Sequence, residues 1–321
     1  MSDDRNDKPT TAGLDRRGVL KCAAWIGAGV VWTVSGGIPR TAGLLGSSVA
    51  EAAMAAGPTF IQLSDSHIGF DKAANPDALL TLTETVTKIK EMPKKPHFMI
   101  HTGDITHLSK PKQFDDADQA IGMVGVPTFF VPGEHDVVDE DNGKAYLDRY
   151  GKKLGAAGDG WYSFDKDGVH FIGLVNVMNL KAGGLGTLGE EQLAWLENDV
   201  KHRSHSTPIV VFAHIPLWTV YEEWGWGTDD GARALASLKK FGSVTVLNGH
   251  IHQIQQKIEG NVTFHTARST AFPQPAPGTA PSPGPQTVPA DQLRSVLGIT
   301  EVSVRHGKAE LALTDLTISA L

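Results

Sequence analysis

Five separate apolar runs in this chain end in carboxylate or imidazole side chains, and that repetition restricts the folds open to it. TFIQLSD (59 to 65) leads to Asp65 and His67, and HFMIHTGD (97 to 104) leads to Asp104. PTFFVP (127 to 132) delivers Glu134, His135 and Asp136, PIVVFAH (208 to 214) ends in His214, and SVTVLNGH (243 to 250) delivers His250 and His252. Runs rich in β-branched and aromatic residues and closed by Gly or Pro read as buried strands that stop at loops. In open α/β sheets the loops past the carboxyl ends of strands are where ligands bind. Packing accounts for one or two polar strand ends, not for five. Alternation along a strand puts both members of D-x-H, and of H-x-H, on one side, so each pair can bite one metal ion. His, Asp and Glu without thiolate suit Zn, Mn or Fe.

Between these runs the periodicity changes. Asn75 as N-cap, Pro76 as first helical residue, and Leu79, Leu82, Val86 and Ile89 at helical spacing predict a helix ending near Met92-Pro93. Further helices are expected over Lys112 to Met123, around Ala145 to Tyr150, over Leu188 to His202 and near Gly231 to Lys240. Asp167-Gly168 and Glu259-Gly260 read as hairpin turns, and two last strands flank His306-Gly307. Residues 273 to 289, rich in Pro, Gly, Ala and Ser, read as an ordered strap or a flexible loop. Strand-helix alternation mixed with hairpins predicts an α/β fold of two mixed β-sheets packed as a sandwich, with helices on the outer faces.

The first 52 residues read as something else. LDRRGVLK carries paired Arg16 and Arg17, an apolar stretch from Cys22 to Val34 follows, and then comes SSVAEAAMAAG. This is the order of a twin-arginine export signal, with cleavage expected within Ala50 to Ala56 and a periplasmic or secreted product. The alternative is an uncleaved signal that anchors the chain, although the stretch is shorter than the roughly 20 residues a spanning helix needs. No later segment is apolar enough to span a membrane. Cys22 is the only cysteine and lies inside the expected signal, so residues 53 to 321 would contain no disulfide. Removing residues 1 to 52 takes away six basic and five acidic residues and moves the formal charge from −7 to −8. An acidic body without basic runs argues against a dedicated nucleic-acid binder. The sequence sets no oligomeric state.

The ordered blocks Asp65-Ser66-His67, Gly103-Asp104, Gly133-Glu134-His135-Asp136, His214 and Gly249-His250-Ile251-His252 resemble those of the calcineurin-like metallophosphoesterases. YSFDKDGVHFIGL and LGEEQLAWLENDV also resemble the connecting segments of the cyclic-nucleotide-phosphodiesterase and purple-acid-phosphatase-like branches, so the resemblance runs through residues 53 to 321. It implies a two-metal hydrolase of a small-molecule phosphodiester or phosphomonoester, with two divalent or mixed-valence ions of Fe, Mn or Zn. Asp65, His67 and His252 would hold one ion, His214 and His250 the other, and Asp104 would bridge them. A bridging water of lowered pKa would attack in line. His135 would protonate the leaving alkoxide, oriented by Asp136.

This chain has Glu134 where the family has Asn. Glu134 would ligate the second metal, or swing away and leave a weak second site, or repel phosphate enough to leave a catalytically weak or inactive metal-stabilised binding protein of the same fold. His107, in IHTGDITH, reads as touching substrate or supporting a ligand, beside the plainer reading of a surface histidine. Trp218 and Trp224, in LWTVYEEWGWG after His214, read as substrate-stacking rings or as a self-packed lid. Asn248 is placed to hydrogen-bond a ligand histidine, while His170 and His265, inside strands, read as structural. Ser64 and Ser66 stand in no Gly-x-Ser-x-Gly or Ser-x-x-Lys context that would make them nucleophiles.

Overall fold

A computed structural model describes residues 31–35, 38–42, 56–305 and 311–321, with the backbone alone for 31–35, 38–42, 56–57 and 305. The paired arginines and most of the expected cleavage region lie outside the described residues, as do His306 and Gly307. Thirteen strands make two sheets among the described residues. The first is ordered β2 (Ile38–Ala42), β1 (Val31–Ser35), β13 (Leu311–Thr317), β12 (Gly298–Arg305), β3 (Ala56–Leu63), β4 (Phe98–His101) and β5 (Thr128–Phe130). The second is ordered β10 (Gln256–Glu259), β11 (Val262–Thr266), β9 (Val244–Asn248), β8 (Ile209–Phe212), β7 (Val169–Gly173) and β6 (Tyr162–Lys166). In the first sheet the parallel run β3/β4/β5 forms one edge and meets antiparallel β12 on its other side, and in the second the parallel run β7/β8/β9/β11 lies between antiparallel β6 and β10, so both sheets are mixed.

Strand alternation explains the layers. In β3, Phe60 points into the space between the sheets and meets Phe98 and Phe171 with ring centroids 4.8 and 5.5 Å away. Its neighbours Ile61 and Leu63 face the opposite way, toward α1 (Ala78–Glu91) and α2 (Pro111–Gly122). In β8, Val210 and Phe212 turn inward while Ile209 and Val211 meet α3 (Glu190–Val200) and α4 (Gly231–Leu238). Strands covered on both faces need no polar alternation, which is why these runs are apolar throughout.

The helix expected at Asn75 begins later. Asp77 caps it, accepting from the Leu80 N–H at 2.9 Å. Asn75 is buried and donates to the Ala271 carbonyl and the Thr81 hydroxyl, so the residue that reads as a cap ties a distant segment to the helix. The Pro-rich segment has no regular structure, but Gln286 N–H donates to the Pro273 carbonyl and Gln253 to the Pro275 carbonyl. No helix among the described residues is long and apolar enough to cross a membrane.

Candidate metal centre

The five loops predicted to carry the chemistry meet at the carboxyl ends of β3, β4, β5, β8 and β9. Backbone bonds between loops set their spacing: Asp65 N–H donates to the Gly103 carbonyl at 3.0 Å, His67 N–H to the Asp104 carbonyl at 2.8 Å, and Gly249 N–H to the His214 carbonyl at 3.0 Å. The close approach requires glycine. A Cβ on Gly133 would stand 2.1 Å from Asp104 Oδ1, and one on Gly249 would stand 2.0 Å from Ser64 Oγ. Asp65, His67, Asp104, His250 and His252 all have positive φ, between 41° and 70°. Side chains rarely adopt that region, and its cost is sustained where the surroundings fix the geometry for function.

Two clusters result, each with ligand atoms within 4.8 Å of one another: Asp65, His67 and His252 in one, Glu134, His214 and His250 in the other. Asp104 lies between them, its Oδ2 being 3.4 Å from both His67 Nε2 and His214 Nε2. His67 Nε2 and His252 Nε2 face each other at 3.2 Å. His252 Nδ1–H donates to the Phe272 carbonyl at 2.6 Å and His214 Nδ1–H to the Thr102 carbonyl at 2.7 Å, which leaves Nε2 of each as a bare lone pair. Glu134 Oε2, His214 Nε2 and both ring nitrogens of His250 are buried without a hydrogen-bond partner. Glu134 Oε2 stands 2.9 Å from His214 Nε2 and its Oε1 3.0 Å from His250 Nδ1, so the converging groups can share protons among themselves or hold a pair of cations.

The electrostatics agree. Burial works to raise Asp65, but His252 and His214 outweigh it and hold the carboxyl down at about 2. Burial and the neighbouring His252, His135 and His107 hold His67 well below the usual imidazole range, so it stays a neutral donor. Burial opposes a proton on His214, yet Asp104 and Glu134 pull it well above its ordinary value. The same carboxylates would attract a metal ion, which must displace that proton to bind.

His135 and Asp136 sit on the short turn Glu134–Asp136. His135 Nδ1–H donates to the His107 carbonyl at 2.8 Å, and its backbone N–H donates to Asp104 Oδ1 at 2.9 Å. Asp136 makes no hydrogen bond to His135, although its charge is among those that raise the His135 pKa. Its carboxylate is fully buried and accepts four bonds, from the N–H groups of Ile105, Thr106 and Gly133 and from the Thr106 hydroxyl, so it clamps two loops together while the His107 carbonyl orients His135. An ionised carboxylate is acceptor-only and goes where several backbone donors converge, although burial and the neighbouring Asp104 push the Asp136 pKa up to about 7 against those donors. Asp136→Ala is therefore expected to lose about 2 to 4 kcal/mol in urea unfolding, because four buried donors lose their partner. A variant as stable as the parent would mean that the carboxylate acts on His135 alone.

His107 is brought to the site. Its Nδ1 is 3.5 Å from His67 Nδ1 and its ring lies parallel to His135 at 4.9 Å. Trp218 packs on Phe264 in the core under α3 and α4, and Trp224 packs edge-on against Trp226 and Tyr221, so both rings are engaged in packing of their own. Asn248 donates to the carbonyls of Ala213 and Ile215, not to a ligand histidine. His170 bonds Asp165 and Asp199, and His265 bonds Thr300 and Asp315, both as structural histidines. Sequence reading missed Phe272, whose ring lies 4.8 Å from His67 and 4.6 Å from His252. It follows no strand and carries no donor, so only the folded chain reveals it.

Comparison with known proteins agrees with this geometry. The family model described as calcineurin-like phosphoesterase matches residues 58–254. A probable glycerophosphodiester phosphodiesterase from Arcobacter nitrofigilis is 24% identical over 65% of this chain and 77% of its own length. A 3',5'-cyclic-nucleotide phosphodiesterase from a Nostoc species is 22% identical over 66% and 77%. Among solved structures, a dimetal phosphatase from Danio rerio superimposes with a TM-score of 0.61 at 13% identity, covering 83% of this chain and all of that one. The purple acid phosphatase PPD1 of yellow lupin gives 0.57 at 14%, covering 82% and 52%. With the family match spanning more than half of its length and the ligand loops in place, the chain belongs to the calcineurin-like phosphoesterases, a family of dimetal-dependent hydrolases.

Proposed function

We propose that the protein hydrolyses a small-molecule phosphoester by direct attack of water at a two-metal centre, and that it works outside the cytoplasm after twin-arginine export. The observation that carries the reading is the position of Asp104, with one oxygen equidistant from a histidine of each cluster. Asp65, His67 and His252 would hold one ion, Glu134, His214 and His250 the other, and Asp104 both. When bound, the ions supply positive charge for the phosphoryl oxygens and acidify water. The rest of the work falls to the protein. Phe272 and the carbonyls of Thr102 and Phe272 fix the ring planes of the ligand histidines. His135 is held at Nδ1 by the His107 carbonyl, so the proton it can give away sits at Nε2. Burial alone would lower its pKa, but Asp104, Glu134, that carbonyl and Asp136 raise it, which favours the charged form from which His135 would protonate a leaving alkoxide.

The test is metal content followed by turnover on one sample. About two ions per chain, with hydrolysis of bis-p-nitrophenyl phosphate or p-nitrophenyl phosphate on adding Mn, Fe or Zn and its loss on chelation, is the expected result. No ion bound and no turnover under any addition would overturn it. Export is tested separately, by fractionating cells that carry the parent and the Arg16→Lys, Arg17→Lys variant. Equal amounts outside the cytoplasm would reject the twin-arginine route.

A further inference from the structure

Three carboxylates, Asp65, Asp104 and Glu134, contribute to the two clusters, and a histidine that binds an ion does so as a neutral ring, with Nε2 of His214 and His252 turned to the site by their Nδ1 contacts. Two divalent ions would leave such a centre with one net positive charge. An amide at position 134 would leave two. The carboxylates also differ in where they sit. The side chains of Asp65 and Asp104 are 0% and 2% exposed, but that of Glu134 is 25% exposed, and His250 beside it is 13% exposed. The open side of the centre is therefore bounded by Glu134 and His250, with His135 on the same turn as Glu134. An incoming anion passes Glu134, the ligand carboxylate whose side chain is the most exposed of the three, with its oxygens 2.9 Å from His214 Nε2 and 3.0 Å from His250 Nδ1.

We infer that Glu134 shifts the selectivity of this centre away from doubly charged phosphomonoesters and toward singly charged phosphodiesters, relative to a neutral side chain at that position. The inference rests on the two-metal reading above. Coulomb energy is linear in the charge of the incoming anion, so the penalty that Glu134 adds for a dianion is twice that for a monoanion. A phosphomonoester carries nearly two negative charges above its second pKa of about 6, and a diester carries one. Binding constants are exponential in energy, so the doubling appears as a squared ratio. Glu134→Gln keeps the length and one acceptor oxygen and removes the charge. If it tightens methyl phosphate about tenfold, it tightens dimethyl phosphate only about threefold.

The experiment is calorimetric titration of each anion into the full chain at pH 8 with saturating Mn, with metal content measured on the same samples, for the parent, Glu134→Gln and Glu134→Asp. The expected result is two ions in all three proteins, a shift toward methyl phosphate in the Gln variant, and parent selectivity within about twofold in the Asp variant, which keeps the charge. Equal changes for the two anions, or a Gln-sized shift in Glu134→Asp, would overturn the inference by showing that shape and not charge discriminates. Loss of the second ion from Glu134→Gln alone would overturn it as well, because the carboxylate would then be needed to hold the ion. A parent that binds no metal rejects the two-metal reading instead, and that outcome is visible before any anion is added.

Discussion

Asp104→Asn is expected to lower kcat/KM by about three orders of magnitude and to reduce bound metal from two ions to one or none, while the fold survives. Asp104 Oδ2 stands 3.4 Å from a histidine of each cluster, so its charge is the one both ions would share. Lewis-acid stabilisation by bound metals is worth several kcal/mol, and about 4 kcal/mol corresponds to about a thousandfold in rate. The fold survives because Asn tolerates the left-handed conformation found here, with φ at 53°, and its Oδ1 can still accept the His135 N–H. Metal analysis, steady-state kinetics and melting curves of apo and metal-loaded samples check the three statements independently. A variant with two ions and parent turnover would mean that Asp104 shapes the loops and holds no metal.

The sequence made the metal centre legible because metal chemistry leaves few substitutes at fixed positions. D-x-H, G-D and G-H-x-H stand just past the ends of apolar runs, but strand alternation does not place them: Asp65, His67, His250 and His252 lie beyond β3 and β9 with positive φ, and His250 and His252 join different clusters rather than one metal. The same logic explains what was hidden. Asp136 follows His135 directly and reads as its partner, but the turn Glu134–Asp136 sends the carboxylate back into the protein, where four donors await it. Trp218 and Trp224 lie near His214 in sequence, yet a large ring gains more from burial than from solvent and both pack inward. The layers were legible because strands buried on both faces are apolar throughout, whereas the start of α1 was not. Asn75 carries every local mark of a cap, and only the Ala271 carbonyl, far along the chain, explains why it is used elsewhere.

His135→Gln should divide substrates by leaving group. For an alkyl diester, whose alkoxide must be protonated as it departs, kcat should fall by about two to four orders of magnitude. For bis-p-nitrophenyl phosphate, whose phenolate leaves unaided, the loss should stay within about tenfold. Metal content should not change, since His135 sits beside the clusters and is anchored by the His107 carbonyl and by Asp104 through its backbone N–H, which Gln also has. The pH profile carries the same information. The carboxylates of Asp104 and Glu134 raise the His135 pKa against the effect of burial, so the parent should lose alkyl-diester activity as pH rises through that raised value. In His135→Gln that alkaline limb should disappear, because no proton remains to be lost. Equal losses for both leaving groups with the alkaline limb intact would remove His135 from the role of acid. The neighbouring histidine, His107, whose ring lies parallel to it at 4.9 Å, would then be the group to vary.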